Sequence, residues 1–185
     1  GDTFLFVGTK KQAQDTIKQS AMQCGHFYIN HRWLGGLLTN FDTIRTRVTR
    51  LKELEELINS DLADNYTKKE LSILTREYNK LERNLGGIKT MDKLPDMVFI
   101  IDIKLESNAV AECRKLGIPI VALVDTNCDP RLVDYPVPGN DDAIRACRLF
   151  AERLCHAVLL GTQSLVDSLE SEGITVDDRI PSEEA

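Results

Sequence analysis

Three groups of residues carry the chemistry with which this chain could bind or catalyse. The first is Gly8-Thr9-Lys10, which follows a short apolar run and has the make-up of a phosphate-binding turn. A Walker loop also needs a second, upstream glycine and a Ser or Thr after the lysine, and this chain has neither. No G-x-G-x-x-G follows a strand-like run, and no G-x-S-x-G elbow exists. The three histidines and five cysteines form no readable nucleophile–base pair. Cys24 with His26 and His31 is the nearest thing to a ligand cluster, and its spacing matches no common zinc module. The residues therefore nominate no catalyst, and the chain is not expected to be an enzyme.

The second group is acidic. Asp125 ends a run that reads as a buried strand, and Asp141-Asp142 open the last helical stretch. All three can converge at the carboxyl ends of the strands, where α/β folds hold ligands. Hard divalent cations want convergent oxygens, so Asp125 with Asp142 could hold one, or the three acids could meet a partner. The plainer reading is that Asp141 and Asp142 complement a helix N-terminus while Asp125 caps a turn. No organic cofactor is implied, and a structural divalent cation is the one group these acids suit.

The third group is the segment from Asn30 to Asn40, which holds the only Trp together with His31, Arg32 and Gly35-Gly36. Composition alone reads Trp33, Leu34 and Leu37 as a plug under a sheet, with the glycines making a tight turn. It also allows His31 and Arg32 to meet phosphates or stack on a base.

A net charge of -6 argues against a nucleic-acid partner until its distribution is examined. Residues 1–50 hold seven Lys/Arg against three Asp/Glu, whereas residues 162–185 hold Arg179 alone against seven acids. Residues 51–161 hold fifteen against nineteen, so residues 1–161 sum to zero and the C-terminal tail accounts for the whole acidity. Phosphate contacts depend on local cation density within a screening length of ~8 Å. The expected RNA-contacting residues are thus Lys10, Lys11, His31, Arg32, Arg45 and Arg47. The competing reading is that these are ordinary solvated charges.

The elements that must position these groups can be read from periodicity. Thr3 to Val7 and His26 to Ile29 read as strands around an amphipathic helix from Lys10 to Cys24, which is a βαβ opening. From Asp42 to Leu85 the period changes. Ile44, Val48, Leu51, Leu54 and Ile58 form one stripe, and Leu71, Leu74, Tyr78, Leu81 and Leu85 form another after a polar break with a Thr67-x-x-Glu70 capping box. Two antiparallel helices with narrow seams predict a projecting hairpin. Met97 to Ile101 and Ile118 to Val124 resume the sheet, and Asp141 to Leu160 reads as the last helix. The predicted fold is α/β, a doubly wound parallel sheet of Rossmann or flavodoxin type with an inserted coiled-coil hairpin. Its divisions are an α/β domain of residues 1–41 and 86–161, a hairpin of 42–85 and an acidic tail of 162–185.

Size and composition agree with a globular chain of one domain plus an appendage: 185 residues, 42% hydrophobic and 28% charged. No apolar run approaches the ~20 residues that span a bilayer, so no membrane partner is expected. Five scattered cysteines argue for a reducing compartment. The chain opens on Gly1 rather than Met, and an N-terminal piece is expected to be missing.

Six blocks in order carry a resemblance: FLFVGTKKQA, NHRWLGGLLTNFDTI, TKKE with LERNLGGIK, LPDMVFIID, LGIPIVALVDTNCDP and VPGNDDAIRA. Together they run from Phe4 to Ala146, and the chain resembles the bacterial-type ribosomal protein S-two family. That family's usual N-terminal strand, helix and His-rich motif have no counterpart here. The resemblance implies an α/β layer with a protruding coiled-coil hairpin and a structural, non-catalytic role in the small ribosomal subunit. Small-subunit ribosomal RNA is the implied partner, along with neighbouring proteins including the large messenger-binding one in bacteria. The implied setting is the ribosome of a bacterial cytoplasm, a plastid stroma or a mitochondrion. From another class, a small-molecule-binding α/β enzyme using the crest acids is the alternative.

Overall fold

The computed structural model describes residues 2–60 and 66–171. Its centre is a parallel sheet of five strands, β1 (Phe4–Val7), β2 (Phe27–Ile29), β3 (Met97–Ile101), β4 (Ile120–Val124) and β5 (Tyr135–Pro138), in the order β2-β1-β3-β4-β5. That order is the flavodoxin-like one, and its reversal lies between β1 and β3.

The strands are apolar throughout because both faces are covered. Side chains alternate cleanly. Leu5, Val7, Val98, Ile100, Ile120, Ala122 and Val124 enter one cluster, while Phe6, Phe99, Ile101 and Leu123 enter the other. On the second face lie α1 (Gln14–Gln23), through Ala13, Ile17 and Ala21 at its start and core stripe, and α5 (Ile144–Ser171), through Cys147 and Ala151. Phe6, Phe99 and Phe150 pack between them, edge to face and tilted, with ring centroids 5.7 and 5.1 Å apart. On the first face lie α4 (Ser107–Leu116), the Trp33–Leu38 segment, and parts of α2 (Phe41–Asn59) and α3 (Lys68–Leu85). The sheet ends at β5, whose Pro136 and Pro138 are compatible only with an edge.

Local signals end the elements where the sequence implies. Gly117 closes α4 with φ +69°, a left-handed conformation that costs a glycine little. Thr67 and Glu70 form the reciprocal capping box at the start of α3. The last helix runs on to Ser171, so residues 162–171 of the segment read as a tail are helical; residues 172–185 lie outside the described residues.

The core crosses the boundary drawn for the hairpin. Ile44 and Leu51 of α2 and Leu85 of α3 belong to the main cluster, with Val48, Tyr78 and Leu81 packed half-buried against it. Leu71 and Leu74, nearer the far end of α3, are only half-buried, and Ile73 is exposed. Ion pairs join Arg50 to Glu77 at 3.3 Å, and Lys89 to Glu55 and Glu82 at 3.0 and 2.9 Å.

Candidate nucleic-acid interface

Two clusters of polar residues form at the strand ends. The first lies at the switch point between β1 and β3, where this fold class ordinarily binds phosphates. Lys10 leaves β1 there, and its ammonium meets Asp102 Oδ2 at 3.2 Å, Asp141 Oδ1 at 2.8 Å and Asp142. Burial works against the charged lysine, but the bonds to Asp141, Asp142 and Asp102 more than reverse it, so Lys10 holds its proton above the ordinary lysine range. Thr9 is likewise engaged: its backbone N–H donates to Glu106 Oε1 at 2.9 Å, and its hydroxyl binds the same oxygen. Glu106 is 3% exposed, and burial raises its pKa despite those bonds. The turn that looked like a phosphate loop spends its donors on the chain's own carboxylates.

Asp102 adopts φ 64°, uncommon for a residue other than glycine, and its Oδ1 accepts the Leu105 N–H at 2.9 Å. Asp141 is fully buried, and its Oδ2 has no hydrogen-bond partner. Ligand atoms of Asp125, Asp141 and Asp142 lie within 4.8 Å of one another, as do those of Asp102, Cys128 and Asp141. Convergence of the three predicted acids is therefore real. Asp125 also caps a turn, accepting the Thr126 N–H at 2.6 Å, and these donors lower its pKa. The oxygen that receives the N–H groups of Asp142 and Ala143 before α5 belongs to Asn140. Asp141 thus answers Lys10, and the helix start is served by its neighbour.

The second cluster follows β2. His31 is half-buried and Arg32 exposed. Burial lowers the His31 pKa, and the charges of Arg83 and Lys18 lower it further against an opposing pull from Asp15. Lys11, Arg45 and Arg47 are exposed as well. Among the described residues, none of Lys11, Lys18, Arg32, Arg45, Arg47 and Arg83 forms an ion pair. Cys24, His26 and His31 do not gather into a ligand cluster among the described residues. All five cysteines are free thiols; burial, and for Cys24 also the neighbouring Cys155, pushes Cys24 and Cys113 up to about 12, the opposite of what a nucleophile needs.

The Trp33–Asn40 segment is shaped by one residue that the site reading missed. The Glu112 carboxylate, 9% exposed, accepts from Trp33 Nε1 at 2.9 Å, from the backbone N–H groups of Gly36, Leu38 and Thr39 at 2.8, 3.0 and 3.0 Å, and from the Thr39 hydroxyl at 3.1 Å. Burial opposes its charge, yet these donors win and hold its pKa below the glutamate range. The core plug and the presentation of Arg32 are thus parts of one construction.

Comparison with known proteins bears on the whole of this architecture. The family described as ribosomal protein S2 matches residues 1–161. The chain belongs to the ribosomal protein S2 family. It is 55% identical over 175 residues to a Microcystis aeruginosa protein named small ribosomal subunit protein uS2, covering 93% of this chain and 66% of that relative. A Thermosynechococcus vestitus protein of the same name is 53% identical over 178 residues, covering 96% and 68%. One from Acaryochloris marina is 53% identical over 182 residues, covering 98% and 60%. The chain thus spans about two thirds of the length of the curated relatives it matches.

Within this S2-family chain, the overlooked residues carried a signal. Glu106, at the cap of α4, stands three and four residues before Ala109 and Val110, and Glu112 stands three after Ala109 and four before Leu116. An acid at a core-facing position must find donors, since burying an unpaired carboxylate is prohibitive. Lys18 and Arg83 carried no such signal, because only packing brings them to His31.

Proposed function

We propose that the chain is a structural constituent of the small ribosomal subunit, binding ribosomal RNA and neighbouring small-subunit proteins in translation without catalysing a reaction. The observation that carries this is the S2-family match, which runs over all five strands, α1 to α4 and the first part of α5. The geometry supports it, because the switch-point crevice is filled by Lys10 and its carboxylates while unpaired cations lie elsewhere. Lys11, Arg32, Arg45 and Arg47 contact RNA phosphates, as their exposure and lack of ion-pair partners among the described residues favour, and the half-buried His31 joins them, as its unpartnered Nδ1 favours. Lys10, committed to acids, shapes that surface from beneath.

In this reading α2 and α3 form a coiled-coil hairpin of residues 42–85 inserted in an α/β domain of 1–41 and 86–161. Supporting it are the capping box, the half-buried stripe Leu71, Leu74, Tyr78 and Leu81, and the Arg50–Glu77 pair across the two helices. Asp125, Asp141 and Asp142 serve a contact with a neighbouring protein, the large messenger-binding one in bacteria, or a divalent cation; the unpartnered Asp141 Oδ2 supports such a role. The setting is the ribosome of a bacterial cytoplasm or a plastid stroma.

Sucrose-gradient fractionation tests the central claim. Tagged chain should sediment with small subunits in magnesium, whereas retention on immobilised nucleotides without co-sedimentation would favour the small-molecule enzyme. For the acids, calorimetry with magnesium, calcium or zinc should show a saturable heat that Asp125→Asn with Asp142→Asn removes; without one, the cation half of the reading fails.

A further inference from the structure

The C-terminal end of α3 docks against β2 through Gly87. A Cβ at Gly87 would stand 2.2 Å from the Tyr28 carbonyl oxygen and 2.7 Å from its ring, so only glycine permits the approach. This close contact brings Arg83, one turn upstream, to the segment that leaves β2. Asn30 fastens the same segment to α1, its amide donating to the Gln14 carbonyl oxygen at 3.1 Å. His31, the next residue, sits where β2, α1 and α3 meet.

Two exposed cations flank that meeting point, Lys18 one turn after Gln14 on α1 and Arg83 one turn before Gly87 at the end of α3, and their charges act on His31 with Asp15 as the opposing acid. Arg32 is exposed beside it. The His31 ring makes no hydrogen bond among the described residues: its Nδ1 is buried without a partner, which leaves Nε2 as its outward donor or acceptor. Like charges gathered around an unpartnered ring, with one acid among them, gain most from an anion. A phosphate also fits the donors by type: a guanidinium fork, an ammonium and a ring N–H.

We propose that Lys18, His31 and Arg83 form a seat for one phosphate of an RNA backbone, closing α1, the loop after β2 and the end of α3 around a single anion. The proposal rests on the ribosomal-RNA reading above and adds two residues, Lys18 and Arg83, that the basic N-terminal set did not contain. It also gives RNA a means of fixing the end of α3 to the sheet, because the seat draws on α3 and on the loop after β2.

The test is the salt dependence of binding. Affinity of the 185-residue chain for small-subunit ribosomal RNA is measured by filter binding across a potassium chloride series, for wild type, Lys18→Gln, Arg83→Gln and the double variant. Each neutralised phosphate contributes about 0.7–0.9 to the slope of log affinity against log salt. A phosphate shared by both cations predicts that each single substitution flattens the slope and that the double variant loses no more than about 0.9 in total. Losses that add to about twice that mean two independent contacts and overturn the seat, as do unchanged slopes in both single variants. Arg83→Lys keeps the charge and should recover most of the slope. Both side chains are exposed, so thermal midpoints should match wild type, and His31→Ala supplies a further arm that removes a neutral ring donor: affinity should fall at every salt concentration with the slope kept, and unchanged affinity would take His31 out of the seat. Wild-type chain that shows no salt-dependent binding fails the ribosomal-RNA reading itself and takes the seat with it; wild-type binding with unaltered variants fails the seat alone.

Discussion

Lys10 and Arg32 each follow a strand at the same end of the sheet, and both belong to the basic N-terminal third of the chain. In the fold one is enclosed by Asp102, Asp141 and Asp142, and the other faces solvent. The difference lies in what arrives from elsewhere. Lys10 stands at the switch point, where the loops after β3 and before α5 converge and bring acids with them. Arg32 follows the edge strand β2, next in sequence to His31, on which the charges of Lys18 and Arg83 act. A count of charges along a sequence therefore says how many cations exist and not how many remain after internal pairing. Only the remainder is available to a phosphate.

That contrast breaks first at Lys10. Lys10→Met leaves three carboxylates without their cation, one of them fully buried, and should cost about 3–5 kcal/mol in urea unfolding. Arg32→Met should stay within about 0.5 kcal/mol. Equal effects would dissolve the distinction between a structural and an available cation.

Glu112 sharpens it, because this buried acid is answered by amides instead of a cation. Glu112→Ala strands four N–H donors and should destabilise by about 3 kcal/mol, with loss of the Trp33 fluorescence environment. Its folded pKa lies below the unfolded value of about 4.3, so its contribution is present above that pH and disappears as pH falls through the folded pKa. The acid limb of the stability curve should accordingly be shallower in Glu112→Gln. An unchanged limb would mean that other carboxylates govern acid unfolding.

A smaller effect is expected where the long helices join the sheet. Gly87→Ala pushes a methyl into the Tyr28 carbonyl and should cost about 1–3 kcal/mol. Hydrogen exchange should speed up first in α3 and β2, and uniform acceleration would mean that the joint is no weaker than the rest. Smallest in stability is Arg45→Gln with Arg47→Gln, both exposed on α2: unfolding should be unaltered within about 0.5 kcal/mol while the RNA salt slope falls by up to about 1.8. A full slope in that variant would remove α2 from the RNA-contacting surface.

The fold was largely legible. Runs such as Met97–Ile101 and Ile118 to Val124 read as strands because burial on both faces leaves no polar alternation, the second strand forming over Ile120–Val124, and Gly117 and the Thr67–Glu70 box mark helix ends by local chemistry. The acid cluster was legible in part: Asp125, Asp141 and Asp142 do converge, since strand ends and the following loops share one edge of the sheet. The partner of Asp141 was not, because Lys10 lies far away in sequence and nothing local joins them. For the same reason the stripe of α2 and α3 read as a separate seam, although Ile44, Leu51 and Leu85 complete the main core.

What the sequence by itself determined is the set of elements and their apolar faces, through periodicity, caps and glycines that act over three to seven residues. Membership of the ribosomal protein S2 family was carried in the same strings of residues. The tertiary structure alone decided which charges cancel. Lys10 meets its three acids, Glu112 its amides, and Lys18 and Arg83 form no ion pair among the described residues while their charges act on His31, because Coulomb and hydrogen-bond energies depend on distances through space that adjacent residues do not encode.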